Sequence, residues 1–194
     1  IETATYLCMA AGCGGDVALR RCDGRLLAPV IGCLREAGCE IRSVGSEIAL
    51  KSSGKLTAVS PVTTAPYPGF PTDAQALLMA AVLRAKGESV FRETVFERRF
   101  LHVPELQKLG ADIALSGKTA RVRGVAHLHG AMLRAEDLRG AAALITAGLL
   151  AEGESEVLGL SHLARGYENL EQNLKNLGAA IKSVDIPAPF VYNT

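Results

Sequence analysis

Tryptophan is absent from this chain, and five phenylalanines and four tyrosines are its only aromatic residues. Without aromatics interleaved in a basic stripe, the stacking surfaces that hold nucleic acid cannot be built, and no nucleic-acid partner is expected. An excess of one charge is missing too: 21 lysines and arginines face 20 acidic residues, for a formal net charge of +1. No apolar run approaches the roughly 18 residues that a membrane-spanning helix needs, so no membrane partner is expected. Neither a G-x-G-x-x-G after a strand nor a G-x-x-x-x-G-K-S/T occurs, which removes the dinucleotide and P-loop readings. The four histidines, His102, His127, His129 and His162, lack metal-ligand spacing. The five cysteines, Cys8, Cys13, Cys22, Cys33 and Cys39, include no C-x-x-C pair, and their odd number argues against a full set of disulfides. Neither a metal nor a cofactor is expected.

What the chain does have is repetition. Leu34-Arg-Glu-Ala-Gly-Cys-Glu-Ile41, Leu106-Gln-Lys-Leu-Gly-Ala-Asp-Ile113 and Leu174-Lys-Asn-Leu-Gly-Ala-Ala-Ile181 place Gly38, Gly110 and Gly178 at spacings of 72 and 68 residues. A second series, Gly15-Asp16, Gly87-Glu88 and Gly153-Glu154, recurs with spacings of 72 and 66. Such self-similarity marks one supersecondary unit in three copies, here about 1–58, 59–124 and 125–194. Cys8, Cys33 and Cys39 stand where neighbouring copies carry apolar or alanine residues, and read as small buried hydrophobes and reduced thiols of a cytoplasmic protein. Counting back from Gly87 and Gly153 reaches Asp73 and Arg139 at helix starts that follow extended segments, whereas the same count from Gly15 reaches Ile1. The expectation is therefore that the chain is part of a longer protein whose other residues supply the missing first strands. At the far end, Ile181 to Val184 runs into Pro187 and Pro189 where the earlier copies continue into a paired strand.

Each copy reads as helix, strand, helix and two strands. The apolar spacing predicts a helix over Thr72 to Lys86, with Thr72 as N-cap and Gln75 completing a capping box. Extended Glu88 to Phe96 follows, then a second helix from His102 to Leu109 with Pro104 in its first turn. Alanine-rich segments such as Ala141 to Leu150 are small and apolar nearly all round, which predicts helices buried on more than one side. An α/β arrangement with helices inside and sheets outside accounts for this, although the same alternation also fits an ordinary sheet.

Function is sought where the copies differ. Thr64-Ala-Pro-Tyr-Pro-Gly-Phe-Pro-Thr-Asp73 contains three prolines and a glycine, and is expected to run extended and rigid, delivering Asp73 to a helix start. The plainer alternative is that Thr72 caps that helix and Asp73 complements its dipole. Unit three carries Arg139 at the matching position, with Asp137 two residues before it as a group to orient the guanidinium. Arg98-Arg99 and Arg165 occupy the junction between inner strand and second helix in their own units. Arg99, Arg139 and Arg165 are thus expected to converge on one anion, since guanidinium forks bind phosphate and carboxylate; solvated loop arginines are the alternative.

Four segments carry a family resemblance: Thr64 to Gln75, Glu93-Thr-Val-Phe-Glu-Arg-Arg-Phe-Leu-His-Val-Pro-Glu105, Asp137-Leu-Arg139 and Arg165-Gly-Tyr-Glu168. In this order they resemble the UDP-N-acetylglucosamine 1-carboxyvinyltransferases, which are enolpyruvyl transferases of peptidoglycan precursor synthesis. The resemblance runs from Ile1 to about Val184. It implies an inside-out α/β barrel of three βαβαββ-type repeats, with buried helices, outer mixed sheets and the first strands missing. It also implies that residues 1–194 form one of two similar domains, the second being absent together with its reactive cysteine loop.

By the same resemblance, the complete enzyme moves the enolpyruvyl group of phosphoenolpyruvate to the 3-hydroxyl of UDP-N-acetylglucosamine by addition and elimination, releasing phosphate. Asp73 matches the general base, Val95 a position whose backbone binds the sugar nucleotide, and Arg165 the arginine that holds phosphoenolpyruvate or phosphate. Arg99 and Arg139 match arginines of the closed site. Departures from the pattern are Arg98 in place of asparagine, Gly140-Ala141 in place of Ala-Ser, and Ala164 in place of aspartate. The isolated chain is expected to lack turnover. The alternatives are a non-catalytic binding or dimerisation remnant of the fold, and a transferase for shikimate 3-phosphate, against which the Ala-Pro-Tyr-Pro-Gly-Phe-Pro segment argues.

Overall fold

The structure, a computed structural model, describes residues 1–184. The stretch containing Pro187 and Pro189 lies outside the described residues. Three helices form the interior: α1 (Glu2–Cys13), α3 (Thr72–Ala81) and α5 (Leu138–Leu150). Each touches the other two. Every residue of α3 from Ala74 to Ala81 and of α5 from Gly140 to Ala147 is buried. Runs of alanine make this possible, because helices with small side chains all round approach one another on several faces. Near its end α1 has Gly12, where a Cβ would stand 3.1 Å from the Ala81 carbonyl oxygen and 3.1 Å from Leu150 Cδ2. The C-terminal ends of all three helices therefore meet at Gly12, and the helices run parallel.

Short helices and sheets surround this core. After α1 come β1 (Gly15–Arg20), a 3-10 turn at Gly24–Leu27, α2 (Ala28–Glu36), β2 (Glu40–Val44) and β3 (Glu47–Ser52). The second unit runs β4 (Val62–Thr63), α3, β5 (Glu88–Arg92), α4 (Val103–Lys108), β6 (Asp112–Ser116) and β7 (Thr119–Arg123). The third runs β8 (Met132–Arg134), α5, β9 (Glu156–Leu158), a 3-10 helix at Leu160–Arg165 and α6 (Leu170–Asn176). The sheets are β1-β3-β2, antiparallel throughout; β4-β5-β7-β6, in which only β4 runs parallel to its neighbour; and the parallel pair β8-β9. This is the mixed α/β architecture with internal helices that the resemblance implies. No closing hairpin follows α6 among the described residues.

The repeated glycines explain the shared helix endings. Gly38, Gly110 and Gly178 have φ of 104°, 91° and 93°, a region that costs glycine nothing and other residues strain. Each lets the following residue reach back: Cys39, Ala111 and Ala179 donate their N–H to the carbonyls of Leu34, Leu106 and Leu174, which is the Schellman closure.

Two expectations change. Helix α3 ends at Ala81 instead of Lys86, because the Leu83 carbonyl accepts the Val125 N–H and Lys86 bonds to Leu56 and Ala58. Tertiary partners there replace the next helical turn. The helix start also differs: its N-cap is Pro71, without a side-chain cap, so Thr72 and Gln75 form no capping box. The Thr72 hydroxyl donates to Glu93 Oε2 at 2.8 Å instead, and the Gln75 amide is buried without a partner.

Candidate active site

The proline-rich segment is compact where an extended run was expected. The Gly69 N–H donates to the Pro66 carbonyl and the Ala65 N–H to the Phe70 carbonyl. Phe70 is buried as an anchor. A Cβ at Gly69 would lie 2.5 Å from that of Ala65, so the turn closes only around glycine. From this turn the chain enters α3 with Asp73 in its first turn.

Asp73 meets two guanidiniums. Arg139, in the first turn of α5, donates its Nε–H to Asp73 Oδ1, and Arg99 Nη2 lies 3.8 Å from the same oxygen. The Arg99 side chain is only 16% exposed and stacks 4.1 Å over the Phe96 ring, a favourable cation–π geometry. Burial first, and then the neighbouring Arg139 charge, lowers the Arg99 guanidinium from its ordinary value, with Asp73, Glu93 and Asp137 acting against them. Arg139 keeps its terminal nitrogens without a bond among the described residues, so it has donors to offer an anion.

The expected contact of Asp137 with the Arg139 guanidinium is not formed among the described residues. Asp137 is the N-cap of α5 and its Oδ1 accepts the backbone N–H of Arg139 at 2.8 Å and of Gly140 at 2.9 Å. A capping carboxylate is drawn to these orphan amides, and the side chain of Arg139 is left to cross to Asp73. Asp137 thus sets where Arg139 leaves the helix.

Arg165 ends the 3-10 helix and bonds the His162 ring through Nη2. It makes no ion pair with Asp73 among the described residues. Its loop nonetheless sits at the same end of the core: Tyr167 bonds Thr5 at 2.9 Å and the Glu168 N–H donates to Glu2, both in the first turns of α1. Because the three helices run parallel, Asp73, Arg139 and the Arg165 loop all stand at helix N-termini. Val95 is 38% exposed, and its N–H is already given to Glu93 Oε1 at 2.7 Å, which leaves its carbonyl to meet a ligand. The departures Arg98 and Ala164 are exposed, and Ala141 is buried inside α5.

Two residues of this end were not singled out from the sequence. Glu93 is 2% exposed and accepts bonds from Thr64, Thr72, Val95 and Phe96. Burial pushes its carboxyl up, but the Phe96, Thr72, Val95 and Thr64 donors outweigh it and hold the group below its ordinary value. Its sequence signal is its place at the head of the Glu93 to Glu105 segment, directly after the strand Glu88–Arg92. His102 is buried with Nε2 unpartnered; burial lowers it to about 4 against the Asp137 charge and a bond to the Arg99 backbone.

Known proteins are similar to this chain in sequence and in fold. A family model described as EPSP synthase (3-phosphoshikimate 1-carboxyvinyltransferase) matches residues 1–174. The chain is 48% identical over 183 residues to a UDP-N-acetylglucosamine 1-carboxyvinyltransferase of Magnetococcus marinus, and 50% identical over 182 residues to that of Myxococcus xanthus. Each match covers 94% of this chain but 43% of the relative, so the chain spans less than half their length. Among solved structures, the enolpyruvyl transferase NikO from Streptomyces tendae is similar with a TM-score of 0.81 at 31% identity, covering 92% of this chain and 42% of that one. An EPSP synthase of Acinetobacter baumannii shares the fold, with a TM-score of 0.72 at 18% identity over 95% of this chain and 43% of that one.

Proposed function

This chain belongs to the EPSP synthase (3-phosphoshikimate 1-carboxyvinyltransferase) family, and we propose that it is one domain of a transferase that moves the enolpyruvyl group of phosphoenolpyruvate to the 3-hydroxyl of UDP-N-acetylglucosamine. The observation that carries this is the meeting of Asp73 with Arg139 and Arg99 at parallel helix N-termini. An alcohol attacking an enol phosphate must lose its proton, and the phosphate and carboxylate must be held. Asp73 is the base. Arg99, Arg139 and Arg165 hold the anionic groups, with Asp137 fixing Arg139 through its backbone and the Val95 carbonyl meeting the sugar nucleotide. Identity near one half to the UDP-N-acetylglucosamine enzymes, against 18% to an EPSP synthase, favours the nucleotide sugar over shikimate 3-phosphate.

The rest of the transferase supplies the other wall of the pocket and a strand beside β1. In the second sheet β4 lies parallel on β5; β1 occupies the corresponding place in the first sheet and has only β3 beside it among the described residues. Among the described residues no helix is long and apolar enough to cross a membrane. We place the reaction in the cytoplasm because the proposed substrate, a nucleotide sugar, is made there.

The test is phosphate release from phosphoenolpyruvate by the full-length protein. It is expected with UDP-N-acetylglucosamine and not with shikimate 3-phosphate; the reverse preference would reject the substrate. Asp73→Asn should leave sugar-nucleotide binding nearly intact and lower turnover by roughly 100-fold or more, the usual worth of a general base. Full turnover in that variant would reject the role of Asp73.

A further inference from the structure

We propose that Glu93 is a positioning residue: its single buried carboxylate ties the segment that presents Asp73 to the loop that presents Val95 and Arg99, and so sets the spacing of acid and guanidiniums. The inference rests on reading this end of the domain as an enolpyruvyl transfer site, and assigns the device that holds the site's two limbs in register.

The bonds divide between the limbs. On one side Thr64 Oγ1 donates to Glu93 Oε1 at 2.9 Å and Thr72 Oγ1 to Oε2 at 2.8 Å. These threonines bracket the proline-rich turn, and Thr72 directly precedes Asp73. On the other side the N–H groups of Val95 and Phe96 donate to Oε1 at 2.7 and 2.9 Å. Phe96 in turn carries Arg99 on its ring. No cation lies within salt-bridge distance of Glu93 among the described residues, and the nearby Arg99 guanidinium pairs with Asp73 instead. A buried carboxylate without a direct ion pair is costly unless donors satisfy it, and the donors that satisfy this one are two hydroxyls and two backbone amides. Here they are attached to both halves of the candidate site. The Thr94 hydroxyl and N–H bond Thr64 beside them, yet Thr72, next to Asp73, reaches the second limb through Glu93 alone.

Reach and charge are separable. Glu93→Asp keeps the charge and removes one methylene, so it cannot serve both limbs; Glu93→Gln keeps the length and removes the charge. The readout is the Arg139 Nε–H resonance, whose partner Asp73 lies beyond the tie, together with amide exchange at Val95 and Phe96 in this chain. Glu93→Asp should shift or broaden the Arg139 signal and speed exchange at Val95 or Phe96 about tenfold or more, while Glu93→Gln leaves the Arg139 signal near its original place. In the full-length protein the aspartate variant should lose roughly 10- to 100-fold in kcat, as misplacement of reacting groups by about 1 Å does, with a smaller change in KM. An unmoved Arg139 signal in folded Glu93→Asp overturns the proposal, and so does a glutamine variant as disturbed as the aspartate one. Should Glu93→Asp not fold, Thr72→Val must move the Arg139 signal and leave the Val95 and Phe96 amides protected, or the proposal falls. The resonance and exchange measurements need no activity, so absence of enolpyruvyl transfer would count against the function above and not against the tie.

Discussion

Asp73 is half-exposed while the guanidiniums around it are sheltered: the side chains are 46%, 29% and 16% exposed for Asp73, Arg139 and Arg99. Because water reaches the Asp73 carboxylate, its ion pairs are screened on that side, and Asp73→Asn should change the unfolding free energy of the chain by about 1 kcal/mol or less, measured in urea. A loss of turnover in that variant then reports chemistry and not unfolding. His102 behaves differently because it is buried and neutral. Its folded value of about 4 lies below the roughly 6.5 of an unfolded histidine, so the unfolded chain binds the extra proton first. Stability is complete above pH 6.5 and falls as the pH drops toward 4, by up to about 3 kcal/mol. The Asp137 charge and the bond to the Arg99 backbone oppose the downward shift that burial causes without cancelling it. Subtracting the urea profile of His102→Leu from that of the original chain should isolate this slope; parallel profiles would contradict it.

At the scale of elements, the three core helices depend on how little they carry. Gly12 sits where α1, α3 and α5 converge, and Gly12→Val should cost roughly 1–3 kcal/mol through overpacking, read as a lower denaturation midpoint. Gly140 is the opposite case. Its N–H feeds the Asp137 cap, but a Cβ there would find its nearest neighbours, His102 Cβ and Asp137 Oδ2, at 3.5 and 3.6 Å, which is ordinary contact. Gly140→Ala, with alanine as in the family pattern, should stabilise the chain by roughly 0.5–1 kcal/mol from helix propensity. Where α3 and α5 begin was legible because the repeat sets them against each other, although the capping of α3 was not. The early end of α3 was not, because Leu83 and Lys86 take partners some 30 to 40 residues away, and no local pattern encodes such a choice.

For the whole molecule, β1 is the open question of hydrogen bonding. It pairs with β3 from Gly15 to Arg20 and presents its other edge unpaired among the described residues, a surface that proteins normally cover. Amide exchange should therefore be fast at the alternate β1 residues that face away from β3 in the isolated chain. The same amides should become protected in the full-length protein. Fast exchange in both would argue against a strand supplied from the remaining sequence, and protection in both would mean that this chain already covers the edge.

Repetition alone determined much of this protein. Three matching glycines dictated three matching helix endings, because the left-handed backbone they adopt is written in the residue itself. Alanine-rich segments dictated buried helices, and the exchange of Asp73 for Arg139 at one repeat position marked the place where the copies diverge. Side-chain partnership had to wait for the tertiary structure. That Arg139 crosses to Asp73 while Asp137 stays on its own helix, that Arg165 turns to His162, and that Glu93 gathers donors from two loops are choices among competing acceptors. Such choices depend on distances of a few ångströms between segments far apart in the chain, and those distances exist only once the helices have packed.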